Sequence, residues 1–180
     1  AAREVILDHE PTMRCRQGGG EVCRKLGVKL AERKGAVEPA LEILGAKFPA
    51  AFTTGKAFPI ELHLSVLKKL QGKWKVFIHV DPDPRINPGL GGRIIGDHDP
   101  LGGIFDTPNW QPGRFMVDRY RIPAGSSSTV GNPVGWYLLY VGFFQGESRM
   151  AVLSGPSDGS DRVFLGKIRV RRPLGIGCGQ

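Results

Sequence analysis

Two segments alternate apolar and polar residues at every second position, and this pattern most constrains what the chain can fold into. In residues 58–67, one face carries Ile60, Leu62, Leu64 and Val66. In residues 73–81, one face carries Trp74, Val76, Ile78 and Val80. Successive side chains of a strand point to opposite faces, so this period predicts two strands that each bury one face.

The linker between these two segments, residues 68–72, is short and ends in glycine. Short connections of this kind join antiparallel neighbours. Residues 58–67 and 73–81 are therefore predicted to form a β-hairpin.

Further apolar runs, separated by turn residues, extend the strand prediction. They lie at 26–30, 41–48, 93–95, 115–122, 135–144, 149–153 and 162–170, although 40–44 equally fits a helical turn. The run at 135–144 is apolar on both faces, which is typical of a central strand, and its Trp136 is assigned to the core together with Trp74. With 26 glycines, 14 prolines and no long helical pattern, the chain is predicted to be all-β, a two-sheet antiparallel sandwich of the Ig-like or jelly-roll kind.

The chain divides into three predicted regions. Residues 1–25 are an irregular cysteine-bearing segment, 26–173 form the β-sandwich domain, and 174–180 are a tail. Within the domain, residues 82–113 are a long Pro-, Gly- and Asp-rich loop region, and such loops often carry function. No apolar run approaches the roughly 18 residues that span a bilayer.

Residues 74–170 contain an ordered series of phrases that resembles a known domain. The phrases are WKVFIHVD, GDHDP, TPNWQPG, VDRY, GWYLLYVGFF, SRMAV and RVFLGKIRV. This order resembles the β-sandwich domain appended after the membrane spans of some bacterial glycosyltransferase-like proteins. The resemblance implies an extracytoplasmic, non-catalytic sandwich and carries no active-site residues across. The chain departs from that pattern by its cysteine-bearing segment and its lack of a membrane span.

Three cysteines bear on the cellular compartment. Cys15 and Cys23 are separated by seven residues in a Gly-rich stretch, a spacing that fits no zinc, redox or haem motif. A Cys15–Cys23 disulfide is predicted, with Cys178 free or paired between chains; the alternative is three unrelated thiols. A disulfide requires an oxidising compartment. The opening Ala1-Ala2 is what remains after signal-peptide cleavage, or equally after trimming. The predicted location is extracytoplasmic, in the periplasm or at the cell surface.

The net charge of +8 favours an anionic partner. Basic surfaces attract phosphates, anionic lipids and acidic polymers. The basic residues are scattered, however, and are densest at 14–25, 68–75 and 169–172. No RNA-recognition, zinc-finger or helix-turn-helix pattern accompanies them, so nucleic-acid binding is not favoured.

The first candidate site lies on the face of the predicted hairpin opposite the aliphatic residues. If the aliphatic faces coincide, Glu61 and His63 share the other face with His79. Diagonal neighbours on a sheet lie about 7–8 Å apart, and imidazole and carboxylate groups bind transition metals. These considerations predict a divalent metal at His63, His79, Asp81, Asp97 and His98. The alternative is a solvent-facing polar surface.

A second candidate is an acidic cluster in the long loop region. It comprises Asp81, Asp83, Asp97, Asp99 and Asp106, with His98. Flexible loops with several carboxylates can bind calcium. Aspartate before Pro or Gly is also ordinary turn chemistry, and the turn interpretation is favoured.

The third candidate is an aromatic and basic loop surface. Its residues are Phe105, Asn109, Trp110 and Arg114. An exposed Trp beside polar groups can stack a sugar ring and bind its hydroxyls. The competing interpretation is that Trp110 plugs one end of the sandwich.

The sequence contains no nucleophile elbow, Walker loop or dinucleotide fingerprint. The leading hypothesis is a non-catalytic extracytoplasmic binding or scaffolding domain of the cell envelope, with a glycan or protein partner and a role in an assembly or homo-oligomer. The alternatives are a metal-dependent enzyme built on the histidines with Asp81 or Asp97, and a polyanion-binding basic protein.

Overall fold

The segments with period-two alternation form strands that pack face to face. The computed structural model describes residues 6–16, 18–123 and 134–174. The strands in these ranges are β1 (Ile6–Leu7), β2 (Glu21–Ala31), β3 (Leu41–Pro49), β4 (Ala51–Thr53), β5 (Phe58–Val66), β6 (Lys75–Pro82), β7 (Ile94–Ile95), β8 (Phe115–Ile122), β9 (Gly135–Gln145), β10 (Ser148–Arg149), β11 (Ala151–Val152) and β12 (Val163–Arg171). Two short 3-10 helices span Pro100–Gly103 and Thr107–Asn109. The predicted alternatives for Cys178 lie outside the described residues.

The strands assemble into two sheets, which confirms the predicted all-β sandwich. The first sheet has the order β1-β8-β5-β3-β2-β11, and the second has the order β4-β12-β9-β6-β7 with β10 beside β9. The pairings are antiparallel except that β4 runs parallel to β12. As predicted, β9 is central, because β12 and β6 flank it.

The core lies between the two sheets and is built from their inward-facing aliphatic residues. Leu62 and Leu64 of the first sheet are 1% and 0% exposed, and Val76 and Ile78 of the second are both 0% exposed. Each such side chain contributes about 1.5–3 kcal/mol when it is removed from water. The apolar half of the alternation is therefore what holds the sheets together.

The predicted hairpin of residues 58–67 and 73–81 is wrong. Strand β5 pairs with β3 and β8 in the first sheet, whereas β6 pairs with β7 and β9 in the second. The connection between them crosses from one sheet to the other, and its Leu70 is 1% exposed. Because the two aliphatic faces meet across the core, the opposite faces of β5 and β6 lie on opposite outer surfaces.

The N-terminal segment crosses the outer surface of the first sheet. Strand β1 pairs with β8 at the sheet edge, and Asp8 forms an ion pair with Arg114. The predicted disulfide is present, with the Cα atoms of Cys15 and Cys23 5.9 Å apart. The expected irregular region contributes β1 and the start of β2, which begins at Glu21.

A buried polar contact joins the sheets at one edge. His98 Nδ1 donates to the Gly96 carbonyl at 2.8 Å, and its Nε2 lies 2.7 Å from Asp118 Oδ2. The Leu101 N–H donates to the other Asp118 oxygen at 2.8 Å, and the His98 ring stacks on Tyr120 with centroids 3.7 Å apart. Because the His98 backbone also bonds to Val76 of β6, this contact ties the second sheet to β8 of the first sheet, and the predicted short strand β7 pairs with β6.

In the described part of the chain, no helix has the length and hydropathy needed to cross a membrane.

Candidate functional site

The outer surface of the second sheet is unusually apolar for a surface that faces water. Along β9, Tyr137, Leu139, Val141 and Phe143 point into the core, so the residues between them point outward. Those outward residues include Trp136, Tyr140 and Phe144, each partly exposed. Because this strand is apolar on both faces, it places aromatic rings in a row on the outside.

Neighbouring strands add two more rings to this row. Phe77 of β6 pairs with Gly142 of β9, and Phe164 of β12 pairs with Tyr140. A Cβ at position 142 would lie 2.4 Å from Phe77 Cζ. Glycine at 142 therefore lets the Phe77 ring lie flat across the sheet, and that outward-facing ring is only 2% exposed.

Arginine side chains cover these rings. The guanidinium-to-centroid distances are 4.1 Å for Arg162 over Tyr140, 4.9 Å for Arg149 over Phe77, 5.5 Å for Arg169 over Trp136 and 5.6 Å for Arg24 over Phe164. Guanidinium groups within about 6 Å of a ring centroid gain cation–π attraction. We call this surface, formed by these four arginines with Phe77, Trp136, Tyr140, Phe144 and Phe164, the aromatic–arginine face.

Carboxylates hold part of this face in place. Asp81 accepts hydrogen bonds from Arg93 Nε at 2.6 Å and from Arg162 Nη1 at 2.7 Å. Burial raises the pKa of Asp81, but the bonds from these two arginines outweigh it, so the pKa of Asp81 lies below its ordinary value. Arg162 also donates to Asp158 at 2.6 Å. Its position over Tyr140 is therefore fixed by two ionised partners.

One end of the face is strongly basic, and we call it the basic corner. It comprises Arg85, Lys167, Arg169 and Arg171, and Arg169 lies over Trp136. The buried Asp83 carboxylate pairs with Arg85 at 3.0 Å and faces Lys167 at 3.5 Å. Within the described ranges, Arg169 and Arg171 have no carboxylate partner. Both are exposed, so their guanidinium donors are available to an anion.

The other end of the face holds a small cavity of about 140 Å³, the His79 pocket. Its lining includes His79, Asp97, Phe144, Glu147 and Arg149. Burial and the charge of the nearby Arg93 lower the pKa of His79 to about 4, so its ring is neutral at pH 7. Burial raises the pKa of Asp97 above its ordinary value.

The predicted metal set is not brought together, because the hairpin that would have assembled it does not exist. His63 lies on the outer surface of the first sheet, 2.7 Å from Glu61. Hydrogen bonds from His63 and Arg119 hold the pKa of Glu61 at about 2. His79 and Asp97 lie on the opposite outer surface, and the His98 ring contacts Asp118 instead. Among the described residues, no three His, Cys, Asp or Glu side chains are placed to hold a metal ion.

The predicted acidic cluster is dispersed into separate contacts. Asp81 and Asp83 face arginines, Asp106 lies 3.1 Å from Lys73, and Asp99 lies 3.8 Å from Lys75. Asp97 lies 4.0 Å from His79. Carboxylates with partners of their own do not form a calcium cage.

The predicted sugar platform at Trp110 is wrong. Trp110 is 0% exposed, and its indole N–H donates to the Phe105 carbonyl at 2.9 Å. Asn109 and Arg114 are exposed beside it, and Arg114 pairs with Asp8. Trp110 therefore plugs one end of the sandwich, which was the competing interpretation.

The aromatic–arginine face itself was missed at the sequence level. The only available signal is that residues 135–144 are apolar on both faces, and that pattern predicts a central strand without identifying an outward face. Trp136, which was assigned to the core, points outward and is partly exposed.

The fold and this face define the chain as a β-sandwich domain with an aromatic and basic outer surface. No protein-family model matches it, and no curated protein matches it. Among solved structures, a CARDB domain from Pyrococcus furiosus, determined in complex with di-metal ions, is similar at 12% identity and a TM-score of 0.34. The match covers 71% of this chain and 90% of that chain.

Proposed function

We propose that the protein is a non-catalytic binding domain of an extracytoplasmic compartment, and that it binds an anionic polymer on the aromatic–arginine face. The proposal rests on the exposed pair Arg169 and Arg171, which have no carboxylate partner within the described residues and of which Arg169 pairs with Trp136 on β9. Arg169 contacts the Trp136 ring.

The side chains of the basic corner are suited to binding negatively charged groups. A guanidinium presents a planar fork of donors that matches carboxylate, sulfate and phosphate oxygens. Stacking on an aromatic ring uses the flat face of the guanidinium and leaves the edge with its N–H donors free. Alternate outward positions on β12 place successive cations along a line, which suits a linear polymer better than a single small anion.

The proposal includes an extracytoplasmic location for the protein. The Cys15–Cys23 disulfide favours an oxidising compartment, because thiols in the cytosol are kept reduced. The similarity of residues 74–170 to a sandwich domain appended to bacterial glycosyltransferase-like membrane proteins supports an envelope location. Polymers that carry carboxylate, sulfate or phosphate groups are expected partners in such a compartment.

The test is the salt dependence of binding to a fluorescent dextran sulfate. We expect affinity to fall steeply between 50 and 200 mM salt, since each neutralised anionic group releases counterions. The double variant R169A/R171A is expected to bind at least tenfold more weakly at 50 mM salt and to show a shallower slope. The variant R33A/K34A removes the same charge from exposed positions on the β2–β3 connection and serves as the matched control.

Two results would overturn the proposal. One is wild-type protein that does not bind the polymer at 50 mM salt. The other is equal weakening by R169A/R171A and R33A/K34A, which would show that net charge alone, and no particular face, attracts the polymer.

A further inference from the structure

The His79 pocket lies at the opposite end of the aromatic–arginine face from the basic corner, and its chemistry differs. We propose that this pocket holds one acidic sugar unit, so that the polymer is an acidic polysaccharide, such as a polyuronate. This inference rests on the proposed function, because it names the ligand class of the same face.

The size of the pocket suits a single ring. Its volume is about 140 Å³, well below the roughly 300–1,000 Å³ of cavities that hold drug-sized ligands. The partly exposed Phe144 ring forms one wall, and an aromatic ring of this kind can pack against the C–H face of a pyranose. The pocket can therefore hold one sugar unit of a longer polymer, but it is too small for a complete drug-sized ligand.

The polar groups around this wall match a sugar that carries both hydroxyls and a carboxylate. Asp97 and Glu147 supply acceptors, and Arg149 supplies a cation. Hydroxyl groups donate to carboxylates and accept from N–H groups at the same time. A uronate can therefore place its carboxylate at Arg149 and its hydroxyls at Asp97 and Glu147.

The imidazole of His79 is a mostly buried polar group in the lining of the pocket, and its hydrogen-bonding capacity is not used within the described residues. His79 is 8% exposed, and its buried Nδ1 has no hydrogen-bond partner among the described residues. Its Nε2 lies 4.0 Å from Asp97 Oδ1, which is too long for a hydrogen bond. Buried polar groups in native proteins are nearly always paired. His79 and Asp97 both line the pocket, so a sugar hydroxyl seated between His79 Nε2 and Asp97 Oδ1 would bond to both groups.

The same groups disfavour a nucleic acid in the pocket. Asp97 and Glu147 contribute two carboxylates to the lining of the pocket, beside Arg149. A phosphodiester oxygen cannot donate a hydrogen bond to either carboxylate, whereas the hydroxyls of a sugar can. Among anionic polymers, this end of the face therefore selects for hydroxyl-rich chains.

The distance between the two ends sets a length requirement. Trp136 and Phe144 are eight residues apart on β9, and a strand rises about 3.3 Å per residue, so the ends lie about 26 Å apart. A chain that reaches both ends gains affinity through effective concentration, and a shorter one does not. Affinity for oligouronates is expected to rise sharply once their length exceeds this span.

The test compares galacturonate oligomers of graded length with polyphosphate and single-stranded DNA at one salt concentration. Wild-type protein is expected to bind the longest oligouronate at least tenfold more tightly than polyphosphate of equal charge. The isosteric pocket variant D97N/E147Q is expected to lose this preference, while its affinity for polyphosphate stays the same or rises because two negative charges are removed. R169A/R171A is expected to lose affinity for both polymers.

A second readout does not depend on affinity or on the stability of a variant. In NMR spectra of the wild-type protein, titration with monomeric galacturonate should shift the imidazole resonances of His79. Shifts confined to Arg169 and Arg171 would overturn the inference.

The possible outcomes separate the two proposals. If D97N/E147Q binds both polymers as the wild type does, or if DNA is preferred, the sugar inference is wrong and polyanion binding stands. If the wild type binds none of the polymers, both are wrong.

Discussion

Replacement of Asp118 by leucine tests whether the His98–Asp118 contact holds the two sheets together. The Asp118 side chain is 1% exposed, and its two oxygens contact the Leu101 N–H at 2.8 Å and His98 Nε2 at 2.7 Å. Leucine has the same branching and the same number of side-chain heavy atoms but no acceptor, so both groups lose their partner inside the protein. We expect D118L to lower the free energy of unfolding by about 3–5 kcal/mol, the usual effect of removing one member of a buried polar pair.

The isosteric variant D118N separates lost hydrogen bonds from lost packing. Asparagine keeps an oxygen acceptor for the Leu101 N–H, and its amide can donate to His98 Nε2 while His98 Nδ1 still donates to Gly96. D118N is therefore expected to cost less than about 1.5 kcal/mol, in the range of a single hydrogen bond.

Urea unfolding and thermal unfolding, both followed by circular dichroism, measure both variants. For a chain of 180 residues, each kcal/mol shifts the melting temperature by about 2–4 °C, so D118L should melt roughly 10 °C below the wild type. The reasoning is refuted if D118L unfolds within 1 kcal/mol of the wild type, or if D118N and D118L are equally destabilised.

Two further predictions concern the aromatic–arginine face. Since burial lowers the pKa of His79 to about 4, the unfolded chain binds this proton more readily, and stability should fall by up to roughly 3 kcal/mol as the pH drops from 6.5 to 4. H79Q should flatten that part of a stability-against-pH curve from urea unfolding, and a wild-type curve already flat there would contradict the assignment. In G142A, the new Cβ would meet Phe77 Cζ at 2.4 Å. The displaced ring should cost about 1–3 kcal/mol in the same assay, and a variant as stable as the wild type would show that Phe77 does not need the glycine.

The alternation in residues 58–67 and 73–81 was enough to predict the buried face of β5 and of β6, but it did not specify their neighbours. A period of two reports which side chains enter the core. Two strands joined by a short linker satisfy that pattern either side by side in one sheet or face to face across the core. The connection between β5 and β6 contains one local sign that they are not a hairpin. Its Leu70 is buried, whereas a tight hairpin turn has no position in the core.

Trp110 and Trp136 show why the site was harder to predict than the fold. Trp110 stands in a polar loop and is buried, whereas Trp136 stands in an apolar strand and faces outward. When both faces of a strand are apolar, composition does not identify the outer one. Which face points outward depends on the residues that pack against each face. Trp136 packs against Arg169, which the strand register places opposite it on β12 although it lies 33 positions further along the chain.

The guanidinium cover also explains how an apolar outer surface is compatible with binding rather than aggregation. An uncovered row of aromatic rings on a central strand would form an exposed hydrophobic patch that favours aggregation. Arg149 and Arg162 donate to the Ser160 carbonyl and to two carboxylates, so they stay over their rings, whereas Arg169 has no such anchor within the described residues. An anionic group of a polymer can therefore bind the N–H donors of Arg169 without breaking an existing ion pair. The binding free energy of that contact is then not reduced by the loss of an arginine–carboxylate pair. This difference is why the basic corner, and not the centre of the face, is expected to govern affinity.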